Sequence, residues 1–490
     1  MRKFFFFLIL GLTVATAALY LTVPGRRTDM PVLTWMTPDE VNTRAMVKAF
    51  GEWRKEQGLP PVDLRIDATN NDATKKLVQG LAGVGADIMD LYGFQMDLFT
   101  GTGMLVDLTE DAKRMGFSPA ATYPNLAGDF VINGRQYAFV RTAGVLMNWV
   151  NRDTFAKYGV PEPPSRWTMD EFEALGKRFV AAANPPGTRQ RIYFTNCAPS
   201  DQMRRGLGLA NYNETGTYCT LGDPRNAQVL ERVRRWTVDE KLIPTTAESE
   251  AMASEISGDG RIFSTFAAGR YGMIYTGQYA IFLLRPRGKI RLRAVEPAVD
   301  GFPNADLGSG TVGIYRHSKH RKEAEEFLQF MTTEPFNRVI VASADSLPPV
   351  PKYTQLEEFL RPAGWENEWG SAEAFAKAAQ EIGITMSKSP FVLQSVIYRT
   401  DQEISQALLA GRYTAAGAAQ EMANRINAEI QLSISRDPKM KKLYDERMAI
   451  QRQIEARRAA GQKVPAAWVT DAFHLAYYRA HGWLEEEPKS

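Results

Sequence analysis

Three short apolar runs alternate with two amphipathic stretches between residues 31 and 92, and this alternation most constrains the fold. The runs are PVLTW (31–35), VDLRID (62–67) and ADIMDLY (86–92). The stretches between them repeat apolar residues at helical spacing, from Met46 to Trp53 and from Thr74 to Leu81. A strand–helix–strand–helix–strand order predicts a parallel sheet with helices on its faces. Ligands of such sheets bind outside the carboxyl ends of the strands, which here are the loops after Trp35 and Tyr92.

A second α/β unit is predicted between residues 144 and 183. GVLMNWV (144–150) alternates like a strand. Thr168 and Glu171 then form a capping box, and Trp167 and Phe172 occupy the positions of a hydrophobic staple at the start of a helix. A chain of 490 residues is too long for one ordinary core. We therefore expect this unit to lie in a second lobe.

Later segments continue the α/β pattern and then change character. Residues 260–277 are predicted to form a helix, a glycine turn and a strand, and 311–316 another strand. Ser318 is predicted to cap the next helix. From Asp437 onward a long charged helix precedes an aromatic-rich tail. We expect this tail either to pack back on a lobe or to meet a partner.

The first residues indicate export. A positive start, the apolar run Phe4–Val14 and the sequence Ala-Thr-Ala at 15–17 are typical of a secretory signal peptide. The apolar character continues to Val23, giving about 20 residues, which is enough to span a bilayer if the segment is not removed. We favour a cleaved signal over a retained membrane anchor within residues 1–25. No cysteine lies near the end of this segment, so the sequence does not support a lipid anchor.

The chain contains two cysteines, Cys197 and Cys219. An oxidising compartment would let two cysteines this close in sequence pair. We predict a disulfide that stabilises the fold by about 3 kcal/mol. The alternative is two unrelated buried thiols, and either interpretation is structural.

Composition and motifs exclude several functions. The net charge is +3, and the sequence has no long basic run interleaved with aromatics, so nucleic acid is not a predicted partner. The glycines at 308–313 fit G-x-G-x-x-G but precede a strand, whereas a dinucleotide site needs them after one. His317 and His320 lack a third ligand nearby, so no metal is predicted. The sequence contains no G-x-S-x-G or H-E-x-x-H motif, and no cofactor is expected.

Five stretches resemble the family 1 extracellular solute-binding proteins of ABC importers, the group that includes maltose-binding protein. They occur in the family's order over roughly residues 30–435, beginning with VLTWMTPDEVNTRAMVKAF (32–50) and GADIMDLYGFQMDLFTGTGMLVDLTE (85–110). The most specific are NGRQYAFVRTAGVLMNWVNRDTFAKYGVPEPPSRWTMDEF (133–172) and GTVGIYRHSKHRKEAEEFLQFMTTEPFNRVIVASADSLPP (310–349), and the fifth is FAAGRYGMIYTGQYA (266–280). Ala138, Val140 and Tyr279 depart from the family's common glycine, proline and tryptophan, which leaves the identity of the ligand open.

The resemblance implies a two-lobed periplasmic binding protein fold of type II, each lobe a mainly parallel sheet flanked by helices. Lobe 1 would comprise 30–140 and 307–331, lobe 2 would comprise 141–306 and 332–436, and 437–490 would form a helical extension. The chain would cross between lobes near Arg141, Asp306 and Met331. Closure on a solute would then be recognised by the permease.

The resemblance further implies a binding protein that is not an enzyme, located outside the cytoplasm. Its partners would be a carbohydrate or polyol and the permease of an ABC importer, with membrane contact through the permease or an uncleaved anchor. Two alternatives remain: a periplasmic carbohydrate-active enzyme, and a membrane-anchored sensor or scaffold with the same fold.

Candidate ligand contacts were chosen because sugars need flat aromatics together with carboxylates, amides and arginines. Each residue follows a predicted strand, flanks a crossing or could reach the cleft from the second lobe. They are Trp35, Asp39, Glu40, Tyr92, Phe94, Gln95, Arg141, Asn148, Gln278, Tyr279, Trp365 and Trp369, with Gln394 and Tyr398 as weaker candidates.

Overall fold

A computed structural model describes residues 30–254 and 261–485 of the chain. Its larger sheet contains the predicted alternation: β1 (Val32–Met36) pairs in parallel with β2 (Asp63–Ile66) and with β3 (Ile88–Tyr92). The sheet continues through β10 (Ala305–Ile314), which runs antiparallel to β3 and to β6 (Phe139–Val145). β11 (Gly383–Thr385) pairs in parallel with the start of β10.

The second sheet has three described strands. β7 (Met147–Asn151) lies between β8 (Met273–Thr276) and β9 (Leu292–Val295) and runs antiparallel to both. The expectation of a mainly parallel sheet in this lobe is therefore wrong for these strands. Residues 152–272 separate β7 from β8, so no short strand–helix–strand crossover fixes the direction of β7 relative to β8. A small ribbon of β4 (Val131–Ile132) and β5 (Arg135–Gln136) precedes β6.

Nineteen α-helices lie in the described part of the chain. The first eleven are α1 (Val41–Glu56), α2 (Ala73–Leu81), α3 (Met96–Gly101), α4 (Thr109–Arg114), α5 (Arg152–Lys157), α6 (Met169–Ala183), α7 (Ser200–Gly206), α8 (Pro224–Arg234), α9 (Thr246–Ser254), α10 (Arg261–Ala267) and α11 (Ala280–Leu284). The rest are α12 (Arg321–Met331), α13 (Glu334–Ser343), α14 (Glu357–Leu360), α15 (Ser371–Glu381), α16 (Gln394–Leu409), α17 (Ala415–Arg436), α18 (Pro438–Ala459) and α19 (Ala472–Ala480).

Local signals in the sequence place the start of α6 correctly. The Thr168 hydroxyl accepts from the Glu171 backbone N–H, and the Glu171 carboxylate accepts from the Thr168 N–H at 2.7 Å. The Trp167 and Phe172 rings pack with centroids 5.2 Å apart, which confirms the staple. The cap at Ser318 is wrong, because α12 begins at Arg321 and Ser318 instead donates to Asp87 Oδ1 at 2.7 Å.

Neighbouring segments join the two sheets, and the core of the first sheet continues onto one face of the second, where it includes Trp149, Ile274 and Ala294. β6 ends at Val145 and β7 begins at Met147, and the Leu146 N–H between them donates to the Asp306 carbonyl at 2.8 Å. The Ala305 N–H donates to Ile382, immediately before β11, at 2.9 Å. The predicted crossing near Asp306 thus lies beside the β6–β7 junction.

Met331 does not mark a crossing. It is buried in the core of the first sheet, in one cluster with Phe330 and Phe336. Helix α13, which the predicted boundary assigns to lobe 2, packs on α1. Phe330, at the end of α12, contacts both helices, with ring distances of 5.4 Å to Phe50 and 5.5 Å to Phe336. The first lobe is therefore larger than the sequence predicts.

The C-terminal extension folds back on the protein. Phe473 and Tyr477 of α19 pack against Phe302, with ring centroids 5.9 and 5.3 Å away, and α19 contacts β11. The Tyr478 hydroxyl donates to the buried carboxylate of Glu214. Of the two roles considered for this tail, the structure supports packing on a lobe.

The predicted disulfide is wrong. Cys197 and Cys219 are both free thiols. Cys219 is in a cluster with residues of α16 and α17, and its N–H donates to Asn427 at 2.8 Å, whereas Cys197 follows Asn196, which binds the β8 backbone at Tyr275. Closeness in sequence did not bring the two cysteines together, because each belongs to a different packing layer. Burial raises the pKa of each thiol to about 12.

The leader at residues 1–25 lies outside the described residues, so neither a signal peptide nor an anchor is tested. Within residues 30–254 and 261–485, none of the helices has the length and apolar character needed to cross a bilayer.

Candidate ligand-binding cleft

An exposed aromatic pair lies at the carboxyl end of β3, where the sheet order predicts a ligand. The Tyr92 and Phe94 rings stack in parallel, 4° from coplanar, with centroids 5.5 Å apart. Tyr92 is 60% exposed and Phe94 38%. Gln95 fixes the short turn that carries them, since its Oε1 accepts from the Tyr92 N–H at 3.0 Å. The pair offers a flat apolar surface of the type that stacks on a sugar ring.

Charged side chains form a network next to this end of β3. Arg141 Nε lies 3.3 Å from Asp90 Oδ2, and the Lys76 ammonium donates to the Asp90 carbonyl. Burial lowers the pKa of Lys76 to about 8, and Asp90 opposes that shift. Asp345 also faces Arg141; burial raises the pKa of Asp345, while Arg141 acts against the rise. Arg141 thus lies at this edge between two carboxylates, and its predicted contact with a ligand stays a prediction.

Two predicted ligand residues are instead structural. Trp35 is fully buried: its Nε1–H donates to Asp90 Oδ1 at 2.7 Å and its ring packs 4.9 Å from Phe327. Asn148 is also buried and donates to the Glu296 carbonyl at 3.2 Å. Strand alternation put these side chains on inward faces, and periodicity alone does not distinguish the core face from the ligand face.

A second charged cluster lies at the junction between the sheets. Arg205 on α7 donates to Asp306 Oδ1 at 2.8 Å and to the Thr385 carbonyl at 3.1 Å. Its neighbour Arg204 pairs with Asp201. Burial raises the pKa of Asp306 although Arg205 opposes it, whereas the arginines hold the pKa of Asp201 below its usual range against the effect of burial.

Two tyrosines adjoin this second cluster. Burial raises the pKa of Tyr275 well above its usual value, and its hydroxyl has no hydrogen-bond partner in the described structure. Tyr398, a weaker candidate from the sequence, is about half exposed and interacts electrostatically with Asp201 and Asp306. The sequence analysis missed Asp201, Arg204 and Arg205 as site residues. The one available signal was the Arg204–Arg205 pair, because buried arginines require carboxylate partners.

A cavity of about 270 Å³ brings together Gln278 and Trp365, two residues chosen from the sequence. The Arg285 guanidinium lies 4.8 Å above the Trp365 ring and pairs with Glu368, which also lines the cavity. Burial raises the pKa of Glu368, and Arg285 opposes the shift. Gln278 is buried, and its Oε1 finds no hydrogen-bond donor in the described part of the chain. The cavity therefore presents an unsatisfied acceptor.

The remaining candidates are exposed. Tyr279 is 43% exposed beside Gln278, and its hydroxyl accepts from Thr276 Oγ1 at 2.7 Å. Trp369 is exposed, and its Nε1–H donates to the Pro362 carbonyl at 3.2 Å. Asp39 pairs with Arg44 at 2.7 Å, and Glu40 precedes α1 without capping it.

The described ranges contain no group of three His, Cys, Asp or Glu side chains placed to hold a metal ion.

Two α/β lobes with neighbouring crossovers, and with aromatic and polar residues at the junction, define a two-lobed binding protein. The chain belongs to the family of bacterial extracellular solute-binding proteins, whose model matches residues 37–337, more than half of its length. The fold agrees: an ABC substrate-binding protein from Listeria monocytogenes, solved in complex with cycloalternan, superposes with a TM-score of 0.69 at 20% identity, over 82% of this chain and 100% of that one.

Two relatives are similar in sequence. The multiple sugar-binding protein of Streptococcus mutans is 21% identical over 298 residues, which is 57% of this chain and 66% of that protein, just under two thirds of its length. A probable ABC transporter-binding protein of Deinococcus radiodurans is 24% identical over 354 residues, 68% of this chain and 79% of that protein.

Proposed function

We propose that the protein is the extracytoplasmic solute-binding component of an ABC importer and binds an uncharged carbohydrate or polyol between its lobes. The stacked pair Tyr92 and Phe94 carries this proposal, because an exposed flat aromatic surface at the strand ends suits the C–H face of a sugar. Family membership and the sugar-binding relative support the same ligand class.

The charges around the junction favour a neutral ligand over glycerol phosphate. Five cations there, among the described residues, have carboxylate partners, in the pairs Arg141–Asp90, Arg205–Asp306, Arg204–Asp201, Arg285–Glu368 and Lys388–Asp129. A phosphate would need unpaired cations or helix N-termini. Hydroxyl groups instead exchange hydrogen bonds with such paired, polar side chains.

The proposal is tested by thermal shift of the leaderless protein against a panel of sugars and polyols, with glycerol phosphate included. A ligand that binds only the folded state raises the melting temperature as its concentration exceeds the dissociation constant. We expect a hit among uncharged compounds, weakened at least about tenfold by Tyr92→Ala or Phe94→Ala. Trp369→Ala is the control, since it removes an exposed aromatic outside the stacked Tyr92–Phe94 pair. A hit with glycerol phosphate alone would contradict the neutral-ligand proposal.

The enzyme alternative requires two carboxylates acting on the bound sugar. Asp201 and Asp306 are the pair to test, because their pKa values are shifted in opposite directions. We expect the bound compound to be recovered unchanged after long incubation. Release of a smaller sugar by the wild type, abolished by Asp306→Asn, would instead favour catalysis.

The sensor or scaffold alternative predicts that the apolar N-terminal segment stays attached. We favour a cleaved signal, with membrane contact made through the permease. N-terminal sequencing of the natural protein tests this: a chain beginning near Ala18 supports delivery by a free binding protein, whereas an intact N-terminus supports anchoring.

A further inference from the structure

Three exposed apolar side chains lie at one end of the first lobe. Val78, Leu81 and Val84 are 60%, 63% and 69% exposed and follow one another at intervals of three residues. They occupy α2 and the loop that leads to β3. We refer to these three residues as the apolar tip. Side chains this large are seldom left in water together on a protein surface without a partner.

A basic turn is fixed directly beside the apolar tip. Residues 316–322 read RHSKHRK and follow β10. The Tyr315 hydroxyl donates to the Gly80 carbonyl at 2.6 Å, and Ser318 donates to Asp87 at 2.7 Å. The turn is therefore tied to both ends of the segment that contains Leu81 and Val84.

Two lysines of the basic turn are uncompensated. Arg321 pairs with Asp111 and Glu325, and Arg316 donates to the Gly103 carbonyl at 3.2 Å. Lys319 and Lys322 are exposed, and the described residues offer neither of them an ion pair or a hydrogen bond. Residues 316–323 contain two arginines, two lysines and one acidic residue, Glu323, so the segment carries a net positive charge.

The chain enters the fold at this same edge. The Thr34 N–H, near the start of β1, donates to Asp87 Oδ2 at 2.9 Å, and Asp87 also accepts from Ser318 of the basic turn. The segment before Met30 contains the apolar run of residues 4–23 and the basic pair Arg26 and Arg27. The cleft lies at the opposite, carboxyl ends of β1 and β3.

We propose that this edge, formed by the apolar tip and the basic turn, docks on the surface of an anionic lipid bilayer. Apolar side chains enter the boundary between headgroups and acyl chains, and the lysines are attracted to the negative surface. This contact with lipid is additional to contact with the permease, and it leaves the cleft uncovered. This proposal does not rest on the identity of the bound solute.

The test is cosedimentation of residues 28–490 with phosphatidylcholine vesicles, with and without phosphatidylglycerol. This protein contains every contact described here, and its melting curve verifies folding. We expect binding only when phosphatidylglycerol is present, and release at high salt. Lys319→Glu with Lys322→Glu should lower the partition coefficient at least about tenfold. Leu81→Ser with Val84→Ser should lower the partition coefficient about fivefold.

The control carries the same charge change elsewhere. Lys439→Glu with Lys442→Glu alters two exposed lysines of α18, in the C-terminal extension. We expect this variant to bind vesicles like the wild type. Equal loss in both lysine variants, or no phosphatidylglycerol-dependent binding by a folded wild type, would overturn the proposal. In that case the edge would be tested as a contact with the permease protein instead.

Discussion

At the scale of single residues, burial separates the aromatic side chains that can meet a ligand from those that hold the core. Trp35 and Tyr92 both end strands of the same sheet, yet Trp35 is fully buried and Tyr92 is 60% exposed. The sequence placed both at the carboxyl edge correctly. It did not distinguish them because the helix that covers Trp35 is α12, which carries Phe327 almost 300 residues later.

We predict that Trp35→Phe lowers the free energy of unfolding by about 2 kcal/mol. The change removes the indole donor and leaves Asp90 Oδ1, in a buried site, without that hydrogen bond. Urea denaturation measures the loss. Trp369→Phe is the matched control and should stay within about 0.5 kcal/mol, since that side chain is exposed. Equal effects would mean that the Trp35–Asp90 bond is unimportant.

Lys76 should make stability depend on alkaline pH. Its pKa falls from 10.5 to about 8 on folding, chiefly through burial. Between these values the unfolded chain binds more protons, so the free energy of unfolding rises with pH, by up to about 3 kcal/mol. Urea titrations from about pH 7.5 to 10.5 should reveal this contribution as a growing difference between the wild type and Lys76→Met, because the two buried thiols act in the opposite sense in both proteins.

Comparison with two variants isolates the contribution of Lys76. Lys76→Met should lose the rise, because no ammonium is then buried. Lys75→Met should keep it, since Lys75 is exposed on the same helix. A wild-type profile that matches Lys76→Met would contradict the prediction.

At the scale of elements, sequence patterns formed by neighbouring residues predict the structure correctly. Pairing between strands that are distant in sequence has no such pattern. The parallel order of β1, β2 and β3 and the capping box of α6 follow from residues within one short segment. The antiparallel pairing of β7 with β8 joins residues more than 120 positions apart. No local pattern specifies that pairing, because the strands carry similar apolar residues on both faces.

We predict that Thr168→Ala lowers the free energy of unfolding by about 1 kcal/mol. The hydroxyl that accepts from the Glu171 N–H at the start of α6 is lost. Thr188→Ala is the control, because Thr188 is exposed and its hydroxyl donates to the Pro185 carbonyl in a loop. A control variant as unstable as Thr168→Ala would argue against the cap.

At the scale of the whole molecule, the C-terminal extension is part of the second lobe's structure. The Glu214 carboxylate accepts from Tyr478, from Arg458 Nη1 at 2.9 Å and from Gln451 Nε2 at 2.8 Å, all in the extension. Burial acts to raise the pKa of Glu214, but His474, Tyr478 and Gln451 bring it below its usual value. The network's stabilisation is therefore present above the unfolded pKa of Glu214 and is lost as pH falls through the folded value.

We predict that Tyr478→Phe lowers the free energy of unfolding by about 2 kcal/mol near neutral pH, because a buried carboxylate loses a donor. The adjacent Tyr477→Phe should change it by less than about 0.5 kcal/mol, since that ring packs on Phe302 and its hydroxyl forms no hydrogen bond with any described residue. Thermal melts should show one transition in each case. A separate early transition would mean that the extension folds independently.

The sequence by itself determined the alternation of strands and helices and the capping of α6, which follow from period and caps acting over a few residues. The two-lobed class was implied by the resemblance of longer stretches to a family, and the ligand residues at the strand ends stay a prediction. Only the tertiary structure decided that Trp35 is core, that the cysteines stay apart, and that Arg205 meets Asp306 and Arg285 meets Glu368. Such pairs form because a buried charge must be neutralised by whichever opposite charge the packing brings near, and packing joins residues that are distant in sequence.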